Sequence, residues 1–156
     1  MSYDLVVFDP AAPPPDHKGF LAWYQQQGKW QEGHGYDDPQ VSSPALRAWF
    51  LDMIKTYPIP NGPHGIPDDG SAQSSDYSVG AVMIYGAFAW SEMEGAYQAA
   101  FGLAKKHQLG FFDASVEDGQ VWRPQPGGAY ACVSGKGISI RKLGKARVRI
   151  LQGAGP

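Results

Sequence analysis

Prolines cut this chain into pieces that only short elements can fill. Pro10 and Pro13-Pro14-Pro15 stop the first apolar run, Pro44 opens a helical pattern that Pro58 and Pro60 end, and Pro124 and Pro126 break the chain again before its basic end. Proline fixes φ and removes a backbone donor, so each of these positions bounds a helix or a central strand. Tyr3 to Phe8, β-branched and aromatic, reads as an opening strand buried on both faces. From Asp16, a plausible N-cap, Phe20, Trp23, Tyr24 and Gln27 keep helical spacing until Gly28 or shortly after Trp30. A second helix is better specified: Ser43 precedes Pro44, and Leu46, Trp49, Phe50, Met53, Ile54 and Tyr57 follow at three- and four-residue steps.

Residues 58–76 hold four prolines, three glycines and three Asp, and read as one long exposed loop that suits a functional role. Strand character resumes from Asp76 to Ala89, where Gly80 and Gly86 permit either a bulge or a turn between two strands. Ser91 and Glu94 are spaced as a capping box for a third helix with Met93, Tyr97, Ala100, Phe101 and Ala104 on one face, and Gly110 reads as its stop. Phe111-Phe112-Asp113 and Gln120-Val121-Trp122 bracket an acidic turn at Glu117-Asp118-Gly119, as in a hairpin. Past a Pro126-Gly127-Gly128 linker, Ile138, Ile140, Val148 and Ile150 alternate with polar residues as two short strands. This order predicts an α+β fold with helices packed on one face of a mainly antiparallel sheet. The expected division is an α+β domain over 1–124 and a basic extension over 125–156.

At 156 residues the chain has the length of one domain, which can bury roughly 70% of the surface its unfolded form exposes. Cys132 is the single cysteine, so no internal disulfide is expected and a reducing cytoplasm fits. The start, with Asp4 and Asp9 around Leu5-Val6-Val7-Phe8, lacks the basic and apolar regions of a signal peptide, and no apolar stretch reaches the length of a membrane span.

The formal charge of −2 hides two opposed parts. Residues 1–122 carry 6 Lys/Arg against 15 Asp/Glu, a formal −9, whereas residues 123–156 carry 7 against none. The larger part repels nucleic acid and attracts a basic surface; the tail, through Lys136, Arg141, Lys142, Lys145, Arg147 and Arg149, does the reverse.

No complete catalytic motif accompanies these charges. His34-Gly35-Tyr36-Asp37-Asp38 groups an imidazole with two carboxylates, but no second His stands at a helical spacing, so a turn before Pro39 is the expected reading and no metal is assigned. Asp68-Asp69-Gly70 is likewise a turn that lacks the later acidic residues of a calcium loop. Gly135-Lys136-Gly137 fails as a phosphate loop, because position 130 is Tyr and no Ser or Thr follows the lysine. No cofactor is expected.

Several blocks carry a resemblance: Ser2-Tyr3-Asp4-Leu5, Trp23-Tyr24, Gly35-Tyr36-Asp37-Asp38-Pro39, Ala45-Leu46-Arg47-Ala48-Trp49-Phe50, Asn61-Gly62-Pro63, Asp76-Tyr77-Ser78-Val79-Gly80, Ala87-Phe88-Ala89-Trp90, and Gly110-Phe111-Phe112-Asp113 with Val121-Trp122. Over about residues 2–124 the chain resembles a group of small bacterial proteins that occur beside secreted polymorphic toxins, including those of type VI secretion. The resemblance implies an immunity protein that neutralises a cognate toxin by stoichiometric binding. With the charge pattern, it makes Tyr36, Asp37, Asp38, Asp68, Asp69 and Asp76 the expected contacts to a toxin with a basic surface. The alternatives are a small hydrolase or antidote enzyme using Asp113, Asp118 or His34, and a nucleic-acid-binding module acting through the tail.

Overall fold

The computed structural model describes residues 1–116 and 119–134. Six strands, β1 (Tyr3–Phe8), β2 (Asp76–Val79), β3 (Met83–Phe88), β4 (Gly110–Asp113), β5 (Val121–Pro124) and β6 (Tyr130–Ser134), make one sheet in the order β2-β3-β1-β4-β5-β6. Every neighbouring pair is antiparallel. With α1 (His17–Gln27), α2 (Pro44–Met53) and α3 (Met93–Lys106), the fold is α+β as its sequence predicts.

β1 explains why both of its faces are apolar. It lies between β3 and β4, pairing Leu5 with Gly86 on one side and Asp113 on the other. Strand side chains alternate, so Tyr3, Leu5 and Val7 enter one core while Val6 and Phe8 enter a second across the sheet. The first core lies under α2 and α3 and holds Leu46, Trp49, Phe50, Met53, Tyr97, Ala100 and Phe101. The second is covered by α1 through Phe20, Leu21, Trp23 and Tyr24. The helices therefore do not share one face. The sequence expectation had all of them on one side, because the apolar spacing of α1 reports a buried stripe without saying which sheet face it meets.

The helix ends differ from expectation in instructive ways. Asp16 caps α1 as predicted, accepting from the Gly19 N–H at 2.7 Å. Ser43 precedes Pro44 without a side-chain cap bond, and α2 ends at Met53, four residues before Tyr57. Trp49 in mid-helix donates its indole N–H to the Ala100 carbonyl at 3.1 Å, which fixes α2 against α3. The Ser91–Glu94 box does not form; Trp90–Glu92 is a 3-10 turn and α3 begins at Met93 without a side-chain cap. The α3 stop is also not Gly110. Gln108 takes φ 54°, and Leu109 N–H reaches back to the Ala104 carbonyl at 2.8 Å while Gln108 N–H meets Lys105, a Schellman closure without glycine. Gly110 instead opens β4, where an added Cβ would run into the Phe8 ring.

Gly80 forms the turn that separates β2 from β3, its N–H bonding the Met83 carbonyl at 2.9 Å. At the other end of the sheet, residues 125–129 are a hairpin turn and not a linker. Gln125 N–H bonds the Ala129 carbonyl, and Gly127 and Gly128 have φ of 87° and 88°, a region open to glycine. β6 then pairs with β5, and Tyr130 is buried against Phe101 and Trp122 with ring centroids at 5.4 and 6.1 Å. The sheet thus continues past Pro124, where the sequence reading ended the α+β unit. The expected turn at Glu117-Asp118 and the expected strands around Ile138, Ile140, Val148 and Ile150 lie outside the described residues.

Candidate partner-binding surface

The segment after α1 is short of regular structure yet closely pinned. Trp30 has φ 51°, which turns the chain at the end of α1. Glu32 then accepts from the Ala81 N–H at 2.9 Å and meets His34 Nε2 at 3.2 Å, so its carboxylate joins this loop to the β2–β3 turn. The Tyr36 hydroxyl accepts from the Glu32 N–H at 2.8 Å, its carbonyl accepts from the Val79 N–H at 2.8 Å, and its ring packs edge-on against Trp30. That carbonyl covers part of the outer edge of β2, a strand edge otherwise open to pairing with another chain. Tyr36, an expected contact residue, is thus half-buried and also holds the loop. His34 has its affinity for a proton raised by the Gly35 carbonyl and by Glu32.

The neighbouring acidic residues follow the same plan. Asp38 accepts from the Gln40 N–H at 2.9 Å and caps the 3-10 turn Pro39–Val41. Asp37 receives the Asn61 amide at 3.4 Å, and Gly62, at φ 83°, lies so close to the Asp37 backbone that no side chain fits there. The 36–38 loop and the long loop 58–76 are therefore in contact. Asp68 and Asp69 each accept a backbone N–H two residues on, from Gly70 at 2.8 Å and Ser71 at 2.9 Å, and the Ser71 bond lowers the Asp69 pKa. Asp76 opens β2 and accepts from the Tyr77 N–H. Asp68, Asp69 and Asp76 are exposed; Asp37 and Asp38 are half-exposed.

Local bonds leave the charge of these groups standing. Residues 30–42 and 58–76 contain six carboxylates and no Lys or Arg. Among the described residues, none of Asp37, Asp38, Asp68, Asp69 and Asp76 makes an ion pair. Asp52 contrasts with them, being surrounded by His107 at 2.8 Å and by Lys55 and Lys106 at 3.2 Å. Those five loop carboxylates are thus a source of unneutralised field, while Glu32 meets His34 and Asp52 is spent between α2 and α3.

Beside these loops is a feature that the sequence reading missed. Tyr24, Gln25, Gly28, Trp30, Ser78 and Tyr85 line a cleft of about 380 Å³ between the end of α1 and the β2–β3 edge. The Tyr85 hydroxyl donates to Asp4 at 2.5 Å, and Ser2 supplies a second hydroxyl to the same carboxylate at 2.6 Å. Burial, followed by Asp4, raises the pKa of Tyr85 and of Tyr24, which keeps both phenols protonated. The signal available in the sequence was the alternation of β3, which sends Tyr85 to the face opposite Ile84 and Phe88.

The residues named for a hydrolase do not converge. Asp113 is 3% exposed, with the Tyr3 hydroxyl at 3.4 Å and the Ser115 N–H at 3.1 Å. It lies on β4, three strand spacings or about 14 Å from the β2 edge that carries the His34 loop. Asp118 lies outside the described residues, as do Lys136, Arg141, Lys142, Lys145, Arg147 and Arg149. Arg123 is committed, donating to the Pro14 carbonyl at 2.6 Å and to Pro10 at 3.5 Å, with its guanidinium over the Phe8 ring. Among the described residues no group of three His, Cys, Asp or Glu is placed to hold a metal ion, and no helix is long and apolar enough to cross a membrane. No protein-family model, curated protein or solved structure matches the chain.

Proposed function

We propose that this chain is a cytoplasmic immunity protein, which neutralises a cognate secreted bacterial toxin by binding it one to one through the two acidic loops, without chemistry of its own. The resemblance described above supplies the class. The observation that carries the mode of action is the pair of touching loops with six carboxylates, five of which make no ion pair among the described residues. Steering of a basic partner needs such a field, and a defined complex needs the field to sit on a fixed surface. Here the fixing comes from Tyr36 on Val79, Glu32 on Ala81 and Asp37 on Asn61. A stable complex buries about 800 Å² on each partner. The two loops, over thirty residues long together, are of a size to supply most of that.

The test is co-expression with the C-terminal domain of any large secreted protein found encoded beside it. Growth rescue with co-purification at equal stoichiometry supports the reading. Rescue with no complex at any protein concentration would favour an antidote enzyme, and neither rescue nor complex would remove the immunity assignment.

A further inference from the structure

We propose that the cleft between α1 and the β2–β3 edge is a binding site for an organic cation, a guanidinium or alkylammonium group; this deepens the partner-binding reading and rests on it only for the source of the cation. Three of the six lining residues are Tyr24, Trp30 and Tyr85, whose ring faces carry negative potential and attract cations. Behind this aromatic wall stands the carboxylate of Asp4, held by Tyr85 and Ser2. Glu32 approaches the Trp30 ring near Gly80 but is not part of the lining, its carboxylate being engaged by the Ala81 N–H and His34. The lining contains no Lys or Arg, and Lys29, between Gly28 and Trp30 in sequence, is exposed.

Other ligand classes fit worse. An anion would find no cationic side chain in the lining to hold it, and the Asp4 carboxylate stands behind Tyr85. A purely apolar chain would strip water from the Ser78 hydroxyl and the Gln25 amide without replacing those bonds. A cleft of about 380 Å³ is at the small end of the range for ligand pockets, which suits one side-chain-sized cation. The Trp30 indole is itself held in place, packed edge-on against Tyr36 at 5.1 Å.

The experiment follows the Trp30 indole N–H signal by NMR in the full chain at fixed ionic strength. N-methylguanidinium and tetramethylammonium are titrated against the neutral isosteres N-methylurea and 2,2-dimethylpropanol. Both cations should shift the signal saturably and bind roughly tenfold more tightly than their isosteres, and Trp30→Leu should abolish the response of the remaining cleft signals. Equal binding of cation and isostere, or no saturable response to either cation, overturns the proposal, and this comparison needs no variant. A blocked Gly-Arg-Gly peptide that binds more tightly than N-methylguanidinium assigns the cation to a protein side chain; preference for tetramethylammonium assigns it to a free organic cation. The titration uses the chain alone, without a toxin, so a failure of the acidic-loop reading is separable from a failure here.

Discussion

The Tyr130 hydroxyl donates to the Leu109 carbonyl at 2.7 Å, tying β6 to the turn between α3 and β4. Its ring also closes an aromatic group in which Phe101 meets Phe111, Trp122 and Tyr130 at 5.3, 5.1 and 5.4 Å. A chain ended after Pro124 loses the Tyr130 bond and both Tyr130 ring contacts, and leaves Trp122 uncovered. It should be less stable than a chain ended after Ser134 by roughly 3–5 kcal/mol, the usual cost of removing a buried aromatic. Urea melts of the two truncations measure the difference, and equal midpoints would mean that β6 contributes nothing to the core.

Trp49 is 1% exposed and joins α2 to α3 through its bond to Ala100. Trp49→Ala should lose roughly 3–5 kcal/mol from the cavity it leaves and the lost indole bond. Trp49→Phe should lose less, since most of the ring volume returns. Chemical denaturation ranks the three proteins, and a loss below about 1 kcal/mol for the alanine variant would place the residue outside the core.

Asp52 is held well below the usual carboxylate range by His107 first, and then by Lys55 and Lys106. A carboxyl depressed in the folded state adds stability above its unfolded pKa of about 3.9, and that contribution disappears as pH falls toward the folded value. Stability should therefore drop on acidification below about pH 4, and Asp52→Asn should flatten that drop. At pH 7 the substitution should cost on the order of 1 kcal/mol or less, because both lysines are exposed and screened. Parallel acid limbs in the two proteins would rule out Asp52 as a source of the pH dependence.

The elements of this fold were largely legible in the sequence, because periodicity and proline punctuation are local signals. Asp16 capped its helix, Gly80 made its turn, and the Val121-Trp122 block paired with Phe111-Phe112. What escaped was set by distant contacts. Gly110 owes its identity to Phe8, over a hundred residues away, and Gln108 took the left-handed position that a helix-stop glycine was expected to fill. Proline and two glycines at 126–128 look alike as a linker or as a hairpin turn until the Tyr130 ring is placed. Of the candidate site, the acidic loops were visible as composition. The cleft was not, since Tyr24, Trp30, Ser78 and Tyr85 come together only when β2 and β3 dock beside α1.

The acidic loops as a docking surface for a basic toxin are tested most directly by the salt dependence of association. Asn at positions 37, 38, 68, 69 and 76 keeps a side-chain oxygen for the turn bonds of Gln40, Gly70, Ser71 and Tyr77 while removing five charges. Melting should therefore change little. With the toxin domain in stopped flow, the wild-type association rate should fall at least about tenfold from low to high salt, and the five-Asn protein should associate slowly at both. Equal rates and equal salt slopes for the two proteins would contradict the assignment of this surface.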